Sequence, residues 1–208
     1  MKEILVRKLV VGDLETNCYV LGCAETKDAL VIDPGGNAEM ILDAVEEMKL
    51  RTRAILNTHG HIDHILANGQ IKDATKAELL IHEYDSHMLE DPEANLSSLS
   101  CGAVVSPPAD RLLREGDPVR VGRILFTVLH TPGHTAGGIC LAKEGMVFSG
   151  DTLFAGSVGR TDFPGGSFEL LVHSVKSKLM TLPGVTSVLP GHGLNTTVAN
   201  ERKWNPFL

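Results

Sequence analysis

The residues Thr58-His59-Gly60-His61-Ile62-Asp63-His64 bring three imidazoles and a carboxylate into six consecutive positions. Their spacings of two, two and one fit no helix face, which repeats at three and four. Following an apolar run over 53–57 that reads as a strand, they are expected on a tight loop, where neighbouring ligands can splay toward different ions. Neutral imidazole nitrogen and carboxylate oxygen suit Zn, Fe, Mn or Co. A solvated polar turn would not need three histidines, so metal binding is the reading of this segment.

Three further segments repeat one design. Phe126-Thr127-Val128-Leu129-His130 runs into Thr131-Pro132-Gly133-His134, Met146-Val147-Phe148-Ser149 into Gly150-Asp151, and Ser187-Val188-Leu189 into Pro190-Gly191-His192. Each is an apolar strand ending in a glycine-bearing turn with His or Asp next. Strand ends give a rigid base and loops give reach, so sites tend to be assembled there.

The elements that must position these residues follow from periodicity. Strands are expected over 4–10, 17–21, 29–33, 53–57, 78–81, 118–121, 123–130, 138–142, 146–149 and 186–189. Helical spacing of Met40, Ile41, Ala44, Val45 and Met48 predicts one helix, and others are expected over 65–72, 82–90, 168–182 and 195–203. Residues 91–110, rich in Pro, Ser and Asn, read as a long loop, proposed as a flap lining the substrate. Strand blocks separated by helices predict an α/β sandwich of two sheets with helices outside, as one domain over 1–208.

In order, the segments resemble the five-motif signature of the metallo-β-lactamase superfamily: an Asp after an early strand (Asp33), H-x-H-x-D-H, then His, Asp and His. The resemblance spans essentially the whole chain and implies a four-layer αββα sandwich with the metals at one edge of the sheets. It implies that His59, His61 and His134 hold a first ion, that Asp63, His64 and His192 hold a second, and that Asp151 bridges them, with Asp63 and Asp151 at the catalytic centre. Two Zn²⁺ per chain are expected, with Fe or Mn as substitutes. Asp33 would orient ligands through hydrogen bonds; a turn-former before Pro34 is its other reading.

Such a site points to hydrolysis. A single Zn²⁺ lowers the pKa of bound water from 15.7 to about 7, so no Ser or Cys nucleophile is needed. Phe148-Ser149-Gly150 lacks the preceding glycine of a nucleophile elbow. Two divalent ions outweigh two carboxylates and a hydroxide, leaving a positive site for an oxyanion or departing thiolate. The chain most resembles short glyoxalase II-like proteins, through Gly150-Asp151-Thr152-Leu153-Phe154 and Gly159-Arg160-Thr161-Asp162-Phe163, which implies thioester cleavage of the S-lactoylglutathione type and a small anionic substrate. Long glyoxalase II enzymes carry a C-terminal helical glutathione-binding domain, whereas sixteen residues follow His192 here, so a high KM for glutathione thioesters is expected. Arg160 fits two roles, gripping a substrate carboxylate or pairing with Asp162. Persulfide dioxygenases are also similar, and that resemblance implies one iron on His59, His134 and Asp151. Lactone or other ester hydrolysis is a further alternative within the superfamily.

Composition sets the outer bounds. A formal charge of −7 and the lack of a Lys/Arg cluster argue against nucleic acid and anionic membranes. The N-terminal residues, charged every few positions, lack the apolar core of a signal peptide, and the expected location is cytoplasmic. Cys18, Cys23, Cys101 and Cys140 have neither C-x-x-C nor zinc-finger spacing and read as buried thiols. Outside the chosen set, His130 is expected as a hydrogen-bonded core residue, His82 and His87 on an exposed helix, and His173 on a helix surface.

Overall fold

The computed structural model describes residues 4–100 and 102–208. Cys101 and the first three residues of the N-terminal reading lie outside the described residues. The first half forms a sheet in spatial order β1 (Ile4–Val11), β2 (Thr16–Cys23), β3 (Asp28–Ile32), β4 (Arg51–Leu56), β5 (Glu78–His82) and β6 (Arg111–Leu113). Its first three strands pair antiparallel as a meander, and β3 to β6 are parallel. Parallel neighbours need crossovers, supplied here by α1 (Ala38–Glu47), by α2 (Ile62–Ile65) with α3 (Asn68–Thr75), and between β5 and β6 by a segment whose short helix is α4 (Ser97–Ser100). The second sheet comprises β7 (Pro118–Val121), β8 (Ile124–His130), β9 (Ile139–Lys143), β10 (Met146–Gly150), β13 (Ser187–Pro190) and β14 (Thr196–Thr197). Between β10 and β13 lie a hairpin of β11 (Leu153–Phe154) and β12 (Ser157–Val158), then α5 (Phe168–Ser174).

The sheets face each other across one apolar layer. Tyr19, Leu30, Ile32 and Leu56 meet Phe126, Leu141, Phe148 and Leu189 there. The opposite face of the first sheet, with Val20, Val31, Ile55 and Leu79, packs on Ile41, Val45 and Ile71 of the helices. The outer face of the second, with Cys140, Val147 and Val188, packs on Leu171, Val175, Leu179 and Val198, the last from α6 (Val198–Trp204). Burial on both faces explains why these strands read as continuous apolar runs. The expected αββα sandwich is the architecture observed.

The differences from expectation are local. His61 precedes a single helical turn, so Asp63 and His64 lie in α2 rather than on a loop. The expected 82–90 helix is reduced to a 3₁₀ turn at Ser86–Leu89, because His82 ends β5 and Asp85 turns inward to hydrogen-bond two other loops. His82 is therefore buried rather than on an exposed helix, whereas His87 and His173 are exposed. His130 is half-buried, not in the core; its Nε2 lies 2.9 Å from the Ala136 carbonyl and its ring stacks on His82 at 4.1 Å. The 168–182 helix continues past α5 as a π turn over Val175–Leu179. The closing helix starts late because Thr196–Thr197 first pairs with β13 and Thr197 Oγ1 then caps α6. Cys18, Cys23 and Cys140 are buried free thiols. Among the described residues, no helix is long and apolar enough to cross a membrane.

Candidate metal centre

All seven residues converge where β4, β8, β10 and β13 end at one edge of the sandwich. Three nitrogens meet in one trio: His134 Nε2 lies 3.0 Å from His61 Nδ1 and 3.3 Å from His59 Nε2. In a second trio His192 Nε2 is 3.3 Å from His64 Nε2 and 3.2 Å from Asp63 Oδ2, and His64 Nε2 is 3.4 Å from Asp63 Oδ2. Asp151 sits between them, with Oδ1 3.4 Å from His64 Nε2, and Oδ2 3.6 Å from His192 Nε2 and 3.7 Å from His134 Nε2.

These distances test whether a metal fits. Donors bound at about 2.0–2.1 Å and tetrahedral angles lie roughly 3.3 Å apart, close to the 3.0–3.4 Å of His134 to each of its two partners and of all three pairs in the second trio. Asp151 Oδ1 is buried and lacks a hydrogen-bond partner. Such an orphan is costly unless a cation satisfies it. The donor set suits divalent ions of the borderline-to-hard kind.

The chain also fixes which ring nitrogen faces the centre. His134 Nδ1 donates to the Arg160 carbonyl at 2.7 Å, leaving Nε2 as its lone-pair atom. His64 Nδ1 faces Asp33 Oδ2 at 3.1 Å, and the Thr58 hydroxyl is 3.2 Å from His59 Nδ1. Asp33 accepts from the Thr58 amide and hydroxyl, both at 2.7 Å, so it ties the loop that carries His59 to the end of β3. Burial, reinforced by the neighbouring imidazoles, pushes His59 down and holds His61 at about 3, so both stay neutral and able to coordinate. Burial opposes the ionisation of Asp63, but His64 and the contact from His192 outweigh it and hold the carboxyl well below its ordinary range.

Several supporting residues escaped the sequence reading. Asp85 is fully buried and joins both loops that carry the first trio: its Oδ2 accepts from Gly60 N at 3.2 Å and Thr135 Oγ1 at 2.7 Å, and its Oδ1 from Gly137 N at 2.6 Å. Asn17 Nδ2 donates to the carbonyls of Pro190 and Gly193 at 2.9 and 3.0 Å, and Tyr19 Oη to that of Pro190 at 2.8 Å, fixing the turn before His192. Asn57 donates to the His64 carbonyl at 3.0 Å and holds α2 at the end of β4. An amide inside an apolar strand, as at Asn17, is the sort of signal that could have found it; Asp85 lies in a charged run that reads as solvated. Gly191 lets the turn pass close against a candidate ligand side chain, since a Cβ there would stand 2.2 Å from Asp151 Oδ1.

Above the centre opens a cavity of about 510 Å³, lined by His61, Asp63, His134, Asp151 and His192 on its floor. Asn95, Leu96 and Leu99 of the 91–110 segment line it too, as the flap reading expected. Arg160 is at its rim, paired with Asp162 through two hydrogen bonds of 2.8 and 2.7 Å.

A fold and a site of this kind define a metal-dependent hydrolase. The metallo-β-lactamase superfamily model matches residues 11–192, and the chain belongs to that superfamily. It is 37% identical over 205 residues to the probable metallo-hydrolase YqgX of Bacillus subtilis, covering 97% of this chain and 96% of that one. It is 36% identical over 202 residues to the hydroxyacylglutathione hydrolase GloC of Haemophilus influenzae, covering 95% of each. Among solved structures, the BLEG-1 B3 metallo-β-lactamase is similar with TM-score 0.93 and 40% identity, over 98% of this chain and 99% of that one. TTHA1623 in a di-iron-bound form is similar with TM-score 0.87 and 37% identity, over 98% and 100%. ETHE1 from Myxococcus xanthus is similar with TM-score 0.81 and 34% identity, over 97% and 83%.

Proposed function

We propose that the protein is a dinuclear metal-dependent thioester hydrolase, cleaving small thioesters of the S-lactoylglutathione type. The observation that carries this is the pair of donor trios at tetrahedral spacing with Asp151 between them. Likeness to GloC supports the thioester, and likeness to the di-iron form of TTHA1623 supports two ions. His59, His61 and His134 would hold one ion and Asp63, His64 and His192 the other, with Asp151 placed to serve both. Zinc is the expected metal, with iron or manganese in its place according to supply. When bound, the ions supply Lewis acidity and bring the pKa of water toward neutrality. Asp63, held ionised, and Asp151 accept hydrogen bonds from the attacking water and orient it. Attack forms a C–O bond and the C–S bond breaks; one proton of the water goes to the leaving sulfur and the other to solvent, giving a carboxylate and a thiol. Thr16 Oγ1, 3.4 Å from Asp63 Oδ2, and the contacts of Asp33 keep the carboxylate and His64 aligned. The test is S-lactoylglutathione hydrolysis by the purified protein, lost on chelation and restored by Zn²⁺; no thioester cleavage with any divalent metal overturns the reading.

A second reading has one observation behind it. His134 Nε2 lies 3.3 Å from His59 Nε2 and 3.7 Å from Asp151 Oδ2, so these residues could hold a single iron, as the persulfide dioxygenase resemblance implies. Oxygen uptake with glutathione persulfide and one iron per chain would establish it.

A further inference from the structure

The floor of the cavity is polar, but its walls are not. Leu14, Ile62, Leu96, Leu99, Phe154 and Phe163 enclose it. Phe163 packs edge-on against His61 with ring centres 5.7 Å apart, and Phe154 against His192 at 6.1 Å. Each trio therefore has an aromatic wall directly beside it. Leu14 and Leu99 are 60% and 77% exposed, large apolar side chains left uncovered at the mouth of a functional cleft. Leu96 holds a φ of 68°, a conformation that leucine seldom adopts. The buried Asn95 braces it, donating to the Val104 carbonyl at 3.1 Å and accepting from Ser97 N at 2.9 Å. The flap is thus held with its leucines on the cavity.

Charge at the rim is already used. Among the described lining residues other than the histidines, Arg160 is the one cation. Its guanidinium meets the Asp162 carboxylate edge to edge and stacks 3.9 Å above the Phe163 ring. Asp162 neutralises it, and its fork is turned to that partner rather than offered to a substrate carboxylate. Binding energy beyond the reacting centre must then come from the apolar walls.

We infer that the site is selective for thioesters of medium-chain aliphatic acids, whose chain lies along Phe154, Phe163 and the flap leucines. This rests on the thioester reading above. The acyl carbon sits at the centre, so its chain departs from the point that the two phenylalanines flank. Each methylene transferred to an apolar wall should raise kcat/KM by about threefold, somewhat under the full burial value because the cavity is open. The experiment uses the metal-loaded protein and N-acetylcysteamine thioesters from acetyl to octanoyl, with S-lactoylglutathione alongside. From butanoyl to octanoyl the expected rise is roughly eightyfold, and Leu99→Ser and Phe163→Ala should each flatten the slope. Octanoate, titrated calorimetrically, should bind more tightly than butanoate by a similar factor, a readout independent of turnover. Cleavage of the whole series with no chain-length dependence overturns the inference and leaves the thioester reading standing. A gradient that follows the thiol instead of the acyl group, in acetyl thioesters of longer thiols, overturns it as well. Failure to cleave any thioester while octanoate still outbinds butanoate sinks the thioester reading but supports the apolar site.

Discussion

Asp85→Ala is the substitution most revealing of how the first trio is held. It removes the acceptor shared by Gly60 N, Gly137 N and Thr135 Oγ1, at 3.2, 2.6 and 2.7 Å, in a fully buried place. A buried donor left unpaired costs about 1–3 kcal/mol. Part of that loss is recovered, because burial raises the Asp85 pKa despite these bonds, so keeping the carboxylate ionised is itself unfavourable. A net loss of roughly 2–4 kcal/mol follows, or about 5–15 °C in Tm for a chain of this size. That is within the usual 5–15 kcal/mol of roughly marginal stability, so the variant should still fold. The more specific consequence is on metal. Gly60 stands between His59 and His61, and Thr135 follows His134, so the bonds of Asp85 set the relative position of the whole trio. Affinity at that position should fall roughly 10- to 100-fold, the scale of losing an outer partner of a metal ligand. Thermal unfolding of the apo form and competitive zinc titration of the folded variant separate the two effects. A lower Tm with unchanged affinity at both positions would show Asp85 to be structural only; no change in either would refute the reasoning.

Asp151→Ala should abolish turnover and weaken both metal positions, whereas His130→Ala, whose ring faces Ala136 and His82, should leave metal content unchanged by elemental analysis. Gly191→Ala should cost at least as much activity as losing a ligand, since its methyl would meet Asp151 and His64, and thiol release from a thioester would read this out. His82 is pushed down to about 4 by burial and by its stacked partner His130. It is neutral in the fold but binds a proton when unfolded below pH 6.5, so its contribution is complete above that value and is lost as pH falls toward 4. Between those limits the Tm of the wild type should therefore fall more steeply than that of His82→Gln, by calorimetry at fixed ionic strength.

The seven candidate residues stood out because their four segments each bring His or Asp just past an apolar strand, where such a residue has no packing role to hide behind. The sandwich was legible for a related reason, since strands buried on both faces, such as β2, write unbroken apolar runs. What the sequence did not display is what acts between segments distant in the chain. The bridge made by Asp85 crosses 25 residues to Gly60 and 52 to Gly137, and nothing in Glu83-Tyr84-Asp85-Ser86-His87 marks that carboxylate as buried. The same run of charge made 82–90 look like a solvated helix, while β5 in fact carries His82 inside. A single helical turn at Ile62–Ile65 is too short to show periodicity, so His64 read as a loop residue. The apolar cavity draws Leu14, Leu96, Phe154 and Phe163 from separate segments that only the fold brings together.

Metal stoichiometry bears most directly on the proposal of two ions sharing Asp151. Protein purified without added metal and then equilibrated with Zn²⁺ should hold about two ions per chain by elemental analysis, and His61→Ala and His192→Ala should each lose about one while Asp151→Ala loses affinity at both. An active preparation that never exceeds one iron per chain, retains it in His192→Ala, and consumes oxygen with glutathione persulfide would contradict the dinuclear hydrolase.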